Sequence, residues 1–174
     1  MRSTQSLTAR LRPRGFSLLE SVVCLVLIGV CAGLLLERLA YYQEAAEKAV
    51  MELEVNKLKL ALQVRIADLI ARNQPVDYVR VARENPMLWL DRPPVGYRGE
   101  FAGDAPADLP KGSWYFNRSS AELVYLLNQD RSFRPRSDGR ALVRWRVKTV
   151  RPAAGADGTV IGLQLAPTEP YSWF

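Results

Sequence analysis

The sequence contains no histidine. That absence removes Ser-His-Asp and Cys-His catalysis, histidine-based zinc sites and the usual proton shuttle near neutral pH. Cysteine is almost as scarce: there are two, Cys24 and Cys31, and both lie inside one apolar run. Neither can staple the rest of the chain, and the count excludes a disulfide framework, a four-cysteine zinc site and an iron–sulfur cluster held by this chain alone. An enzyme built on this sequence would depend on carboxylates, lysine, tyrosine or an imported cofactor. No triad, metal-ligand cluster or phosphate loop stands out, so the expectation is no catalytic residue, no metal and no cofactor.

Acidic residues are missing from the first fifteen positions, which carry Arg2, Arg10, Arg12 and Arg14. Gly15 and Phe16-Ser17-Leu18-Leu19-Glu20 follow, and then SVVCLVLIGVCAGLLL, residues 21–36, with no charge for 16 positions. A helix from Phe16 to Leu36 would span about 32 Å, against a bilayer core of about 30 Å. Gly29 and Gly33 make one small-xxx-small pair, a spacing that lets helices approach closely. The full chain has 174 residues, enough for one domain plus appendages. With 48% hydrophobic and 24% charged residues it is not disordered throughout.

A cleaved secretory signal would be cut after its apolar centre at a small-x-small site. Here the apolar run passes without a turn into a charged helical segment, and Cys31-Ala32-Gly33 is a poor cleavage site. An uncleaved anchor is the other ordinary reading; four arginines before the span place the N-terminus in the cytoplasm. Neither accounts for Glu20. A carboxylate near the start of a membrane helix costs on the order of a few kcal/mol and needs a cation. A free amine created at Phe16 would supply one.

Arg14-Gly15-Phe16-Ser17-Leu18-Leu19-Glu20 and the apolar run after it resemble the cleavage and methylation segment of type IV pilins and type II secretion pseudopilins. The strict resemblance covers residues 10–40. It implies cleavage between Gly15 and Phe16 by a prepilin peptidase at the cytoplasmic face, and N-methylation of Phe16 by the same peptidase/methylase. It also implies that Glu20 neutralises the Phe16 amine of a neighbouring subunit during assembly. Many family members carry a proline near the position of Glu37, whereas this chain has none between Phe16 and Pro75. The head also lacks the cysteines of the disulfide loop common in major pilins. The resemblance therefore implies a minor pilin or pseudopilin in the inner membrane, with its head in the periplasm, assembled into a pilus or pseudopilus. Its partners would be the peptidase, other pilin or pseudopilin subunits, the inner-membrane assembly platform and membrane lipid.

The pattern divides the chain into a leader (1–15), a transmembrane and assembly helix (16–36), an amphipathic helix (37–74), a connecting region (75–111) and a head sheet (112–174). No Gly or Pro interrupts residues 34–74. Leu58, Leu62, Ile66 and Leu69, with Ala46, Val50 and Leu53 before them, read as one buried stripe. Glu44, Glu47, Lys48, Glu52, Glu54, Lys57, Lys59 and Arg65 fill the other face, with Glu44–Lys48 as an i,i+4 pair. Packing on the following domain is the expected role of the stripe, with a coiled coil as the alternative. Asn73-Gln74-Pro75 ends the helix. In the connecting region Val76–Val81 and Gly96–Phe101 read as short strands or irregular segments, and Asp104 with Asp108 lacks the third ligand that a calcium site needs. Trp114–Phe116 and Leu123–Leu126 flank a turn; Ala141–Val150 alternates, and Thr159–Leu165 gives a last strand after the turn at 154–158. The expected fold is α+β, a long helix on an antiparallel sheet of about four strands.

The net charge of +6 is unevenly spread. Residues 131–151 hold eight basic residues and one acid, Asp138, and Arg144, Arg146 and Lys148 share one face of a strand. Such a face would suit an anionic partner, DNA phosphates among them. The plainer reading is a solvated strand face whose charges discourage edge pairing. Two further alternatives are a single-pass adaptor and an anchored periplasmic enzyme.

Overall fold

The computed structural model describes residues 17–104, 106–134, 141–151 and 162–174. Gly15 and Phe16 lie outside them, as do the 154–158 turn and Thr159. Helix α1 runs from Leu18 to Ala71. The chain divides into two units, one ending at Tyr41 and the other running from Tyr42 to Phe174, and α1 contributes residues to both.

The C-terminal end of α1 is closed by its own backbone. Asn73 takes a left-handed conformation, φ 53°. Its N–H then donates to Ile70 O, and the Gln74 N–H to Leu69 O, both at 3.0 Å. These two bonds satisfy carbonyls that the last turn would leave open, and Pro75 prevents continuation. Asp77 next caps the short helix α2, Tyr78–Val81, by accepting from the Val79 and Arg80 N–H groups. A 3-10 helix follows at Pro86–Trp89, capped by Asn85.

Seven strands follow among the described residues: β1 Tyr97–Phe101, β2 Trp114–Asn117, β3 Glu122–Leu126, β4 Phe133–Arg134, β5 Leu142–Val150, β6 Gly162–Pro167 and β7 Ser172–Trp173. Five form one sheet in the order β1-β2-β3-β5-β6, while β4 and β7 make a separate ribbon. The β2–β3, β3–β5 and β5–β6 pairs are antiparallel. The β2–β3 hairpin is set by Asn117, whose Oδ1 accepts from the Ser119 and Ser120 N–H groups. One sheet face carries Trp114, Phe116, Leu123, Tyr125, Val143, Trp145, Val147, Leu163 and Leu165 into the core. There they join Met51, Val55, Leu58, Leu62 and Leu69 of α1. The Trp114 and Trp145 rings sit 5.3 Å apart.

The α+β architecture is as expected, with a larger sheet. Strand β1 adds to it in parallel with β2, so the region 75–111 contributes a strand as well as a connection. Gly96 permits this junction. Its carbonyl accepts the Trp114 N–H at 2.9 Å, and a Cβ on it would lie 2.8 Å from Gly112 O. Gly96→Ala is therefore expected to destabilise the head by roughly 1–3 kcal/mol, read as a lowered urea midpoint at unchanged slope. Val76–Val81 is not extended; Asp77 supplies the cap that turns it into α2.

The buried stripe also differs from the pattern reading. Its members are Glu44, Met51, Val55, Leu58, Leu62 and Leu69, whereas Ala46, Val50 and Leu53 are exposed. Helix α1 carries two apolar rows on opposite sides. Each satisfies the three-and-four spacing, and periodicity does not say which one meets the sheet.

Candidate functional site

Four features of the described residues bear on function. The first lies in the unit that ends at Tyr41. From Leu18 to Leu36 every large apolar side chain is exposed, and this part of α1 is long and apolar enough to cross a membrane. It is compatible with a membrane anchor. Glu20 stands in the first turn of α1 and is exposed. A carboxylate there faces the unsatisfied N–H groups of the helix start, which favour negative charge. Gly29 and Gly33 have open space where a Cβ would stand. Cys24 and Cys31 are free thiols.

The second feature is the outward row on α1 within the other unit: Ala46, Val50, Leu53, Leu60 and Val64, all exposed. Leu60 is 66% exposed and Val64 61%. Lys57 lies in the same row, seven residues after Val50 and seven before Val64, and its ammonium is 2.8 Å from Glu54 Oε1. Leu88 of the 3-10 helix, 72% exposed, stands beside the C-terminal end of this row. A hollow of about 520 Å³ there is lined by Ala61, Val64, Leu88 and Trp89 and by the charged Arg65, Asp68 and Glu84.

The third feature is a pair of carboxylates that tie α1 to the rest of the head. Glu44 is 2% exposed. It accepts hydrogen bonds from Ser132 N–H at 2.8 Å, from Ser132 Oγ at 3.0 Å and from Trp173 Nε1 at 3.0 Å. Burial works to raise its pKa, but these donors, with Arg131 nearby, outweigh burial and hold it below the ordinary carboxylate value. One turn on, Glu47 accepts from Tyr125 Oη, Asn128 N–H and Gln129 N–H. Burial and this carboxylate push the Tyr125 phenol up. Lys48 donates to Trp173 O at 2.7 Å. Glu44, Glu47 and Lys48 were expected on the solvent face, with Glu44 and Lys48 paired; instead each binds the head, and Glu44 and Lys48 both hold Trp173. A clue was present in the sequence. Glu44 lies seven residues before Met51, on the line of the buried row.

The fourth feature is the basic strand. The structure brings Arg144, Arg146 and Lys148 to the outward face of β5, since Val143, Trp145 and Val147 point into the core. Arg146 and Lys148 are both engaged within the sheet. Arg146 Nη2 donates to Glu122 Oε1 at 2.9 Å, and Lys148 Nζ donates to Pro167 O at 2.9 Å. Glu122 is itself buried and also accepts from Ser120 and Thr168. A cation that neutralises a buried acid in its own sheet is less available to an external phosphate. Arg136, Asp138 and Arg140 of the basic segment lie outside the described residues. No group of three or more His, Cys, Asp or Glu side chains that could hold a metal ion occurs among the described residues.

Comparison with known proteins adds no relative: no family model matches the chain, and neither a curated protein nor a solved structure gives a match.

Proposed function

We propose that this protein is a type IV pilin-like subunit, a minor pilin or pseudopilin. In this reading it enters the inner membrane through residues 16–36, is cut after Gly15 and methylated at Phe16, and is assembled into a pilus or secretion pseudopilus. The observation that carries the reading is the unbroken segment Arg14-Gly15-Phe16-Ser17-Leu18-Leu19-Glu20 joined to an exposed apolar helix. A cleaved export signal has no use for a carboxylate at this depth. A subunit that docks so as to pair Glu20 with a neighbour's new amine does, because either charge alone is costly in the membrane. The outward apolar row on α1 supports the same reading, since a second row opposite the core is surface left for another helix. A basic leader that orients the span and is then discarded also accounts for four of the 24 basic residues.

The direct test is mass spectrometry of the N-terminus in cells that contain a prepilin peptidase. The expected product begins at methylated Phe16. An intact chain starting at Met1 would remove the core of the proposal.

A further inference from the structure

We infer that the hollow between α1 and the Trp145–Pro167 corner of the sheet receives one neutral pyranose ring, with Glu52, Asn56 and Tyr171 taking its hydroxyls. The inference goes beyond the assembly reading and holds whether or not the chain is processed.

The hollow has a volume of about 330 Å³, at the small end of the roughly 300–1,000 Å³ of ligand sites. Its base is apolar: Met51 and Val55 of α1 and Trp145 of β5 line it, and all three are buried. Pro167, the register partner of Trp145, lines it from β6. Tyr171 lines it too, with its ring fixed by contacts to Trp145 and Phe133 at 6.4 and 6.0 Å between centroids. The remaining lining residues are polar and exposed. Glu52, Asn56 and Lys59 stand at i, i+4 and i+7 of α1, one stripe beside the buried row. Among the described residues neither the Glu52 carboxylate nor the Tyr171 hydroxyl has a hydrogen-bond or ion-pair partner. Burial, and then the charge of Glu52, push the Tyr171 phenol up, so carboxylate and hydroxyl share one space.

The lining selects the ligand. Glu52 and Lys59 cancel in charge, and an anion would meet the first while a cation would meet the second. A wholly apolar ligand would strip water from the Glu52 carboxylate and the Tyr171 hydroxyl and return no hydrogen bond, which opposes binding. What fits is neutral, apolar on one side and rich in hydroxyls on the other. A pyranose ring has that form: its axial C–H groups make one side apolar, and its hydroxyls both donate and accept. Glu52 only accepts, Lys59 only donates, and Asn56 and Tyr171 do both. Asn56 Oδ1 takes Lys59 Nζ at a long 3.4 Å, which leaves the amide N–H groups for the sugar. A linear polyol has the hydroxyls without the apolar side, and a cycloalkanol has the ring with a single hydroxyl.

The test uses the full-length chain, labelled with 13C-methyl methionine, in micelles of lauryldimethylamine oxide, a detergent without sugar. Met51 lines the hollow, while Met87 is buried elsewhere in the core and serves as the reference. Methyl β-D-glucopyranoside or methyl β-D-galactopyranoside is expected to shift the Met51 methyl signal saturably, with half-saturation near about 1 mM, and to leave Met87 in place. Sorbitol and cyclohexanol should bind at least tenfold more weakly. Glu52→Ala and Asn56→Ala should each weaken glycoside binding at least fivefold with an unchanged thermal melt, because both side chains are exposed. Methyl β-lactoside should bind as tightly where the ring ends a chain, and at least tenfold more weakly where the site takes a free sugar; both results keep the pyranose. No saturable Met51 shift with either monosaccharide glycoside up to about 50 mM would overturn the inference. So would sorbitol or cyclohexanol binding as tightly as the glycosides, or glycoside binding unchanged in both variants.

Discussion

Replacing Glu20 with alanine is expected to leave cleavage after Gly15 intact while removing the subunit from the filament. In the proposed pathway cleavage acts on the chain before assembly, and the cut lies on the far side of Phe16 from Glu20. Assembly, in the same proposal, then moves the subunit into an apolar helical environment. There the new Phe16 amine of one chain and the Glu20 carboxylate of another are each costly unless they pair. Removing one member of a buried pair costs about 3–5 kcal/mol, and about 1.4 kcal/mol is a factor of ten. Incorporation should therefore fall by more than about a hundredfold. Helix stability does not explain an effect of that size. Glu20 in the first turn of α1 contributes about 0.3–1 kcal/mol through the helix dipole. Immunoblots of sheared filaments, set against the membrane pool of processed subunit, separate the two. Normal incorporation of Glu20→Ala would remove charge pairing from the mechanism.

The second large effect is expected at Glu44. Its carboxylate takes three hydrogen bonds from Ser132 and Trp173 inside the head. Alanine at this position leaves the Ser132 N–H and the Trp173 Nε1–H without an acceptor, at about 1–3 kcal/mol each. A loss of roughly 3 kcal/mol in head stability follows, read from urea unfolding of the full chain in detergent by tryptophan fluorescence. Glu44→Gln keeps an acceptor oxygen and should lose less.

The same group predicts how stability depends on pH. The folded-state pKa of Glu44 lies below its unfolded value, so the unfolded chain binds the proton more tightly. The stability Glu44 contributes is complete above the unfolded pKa and is lost as pH falls through the folded one. The unmodified protein should therefore be destabilised more than Glu44→Gln on acidification below about pH 4.5. Parallel acid titrations of the two would count against the clasp.

The expected fold was legible where its causes are local. Gly and Pro are absent from residues 34–74, and Asn73-Gln74-Pro75 follows; α1 ends there, closed by a left-handed Asn73. Asn117 and the aromatic segments on either side of it specified the β2–β3 hairpin. Alternation along 143–148 placed Arg144, Arg146 and Lys148 together on one face. Misreadings occurred where a partner distant in sequence decides. Ala46, Val50 and Leu53 have as good a helical rhythm as Met51, Val55 and Leu58, yet the sheet covers only the second set. At Gly96–Phe101 the pattern leaves strand and irregular segment open, and the pairing with β2 makes it a strand.

The candidate site divides along the same line. The sequence by itself determined the basic, acid-free first fifteen residues, the apolar run, Glu20 at its head and the Gly15-Phe16 pair before it. Each is a matter of composition and position along the chain, and needs no folded neighbour to be read. Only the tertiary structure decided that Glu44 is buried and Lys57 is not, and that Arg146 faces Glu122. Those outcomes depend on which surface covers each side chain, and a carboxylate or ammonium goes inside only where distant donors or acceptors meet it.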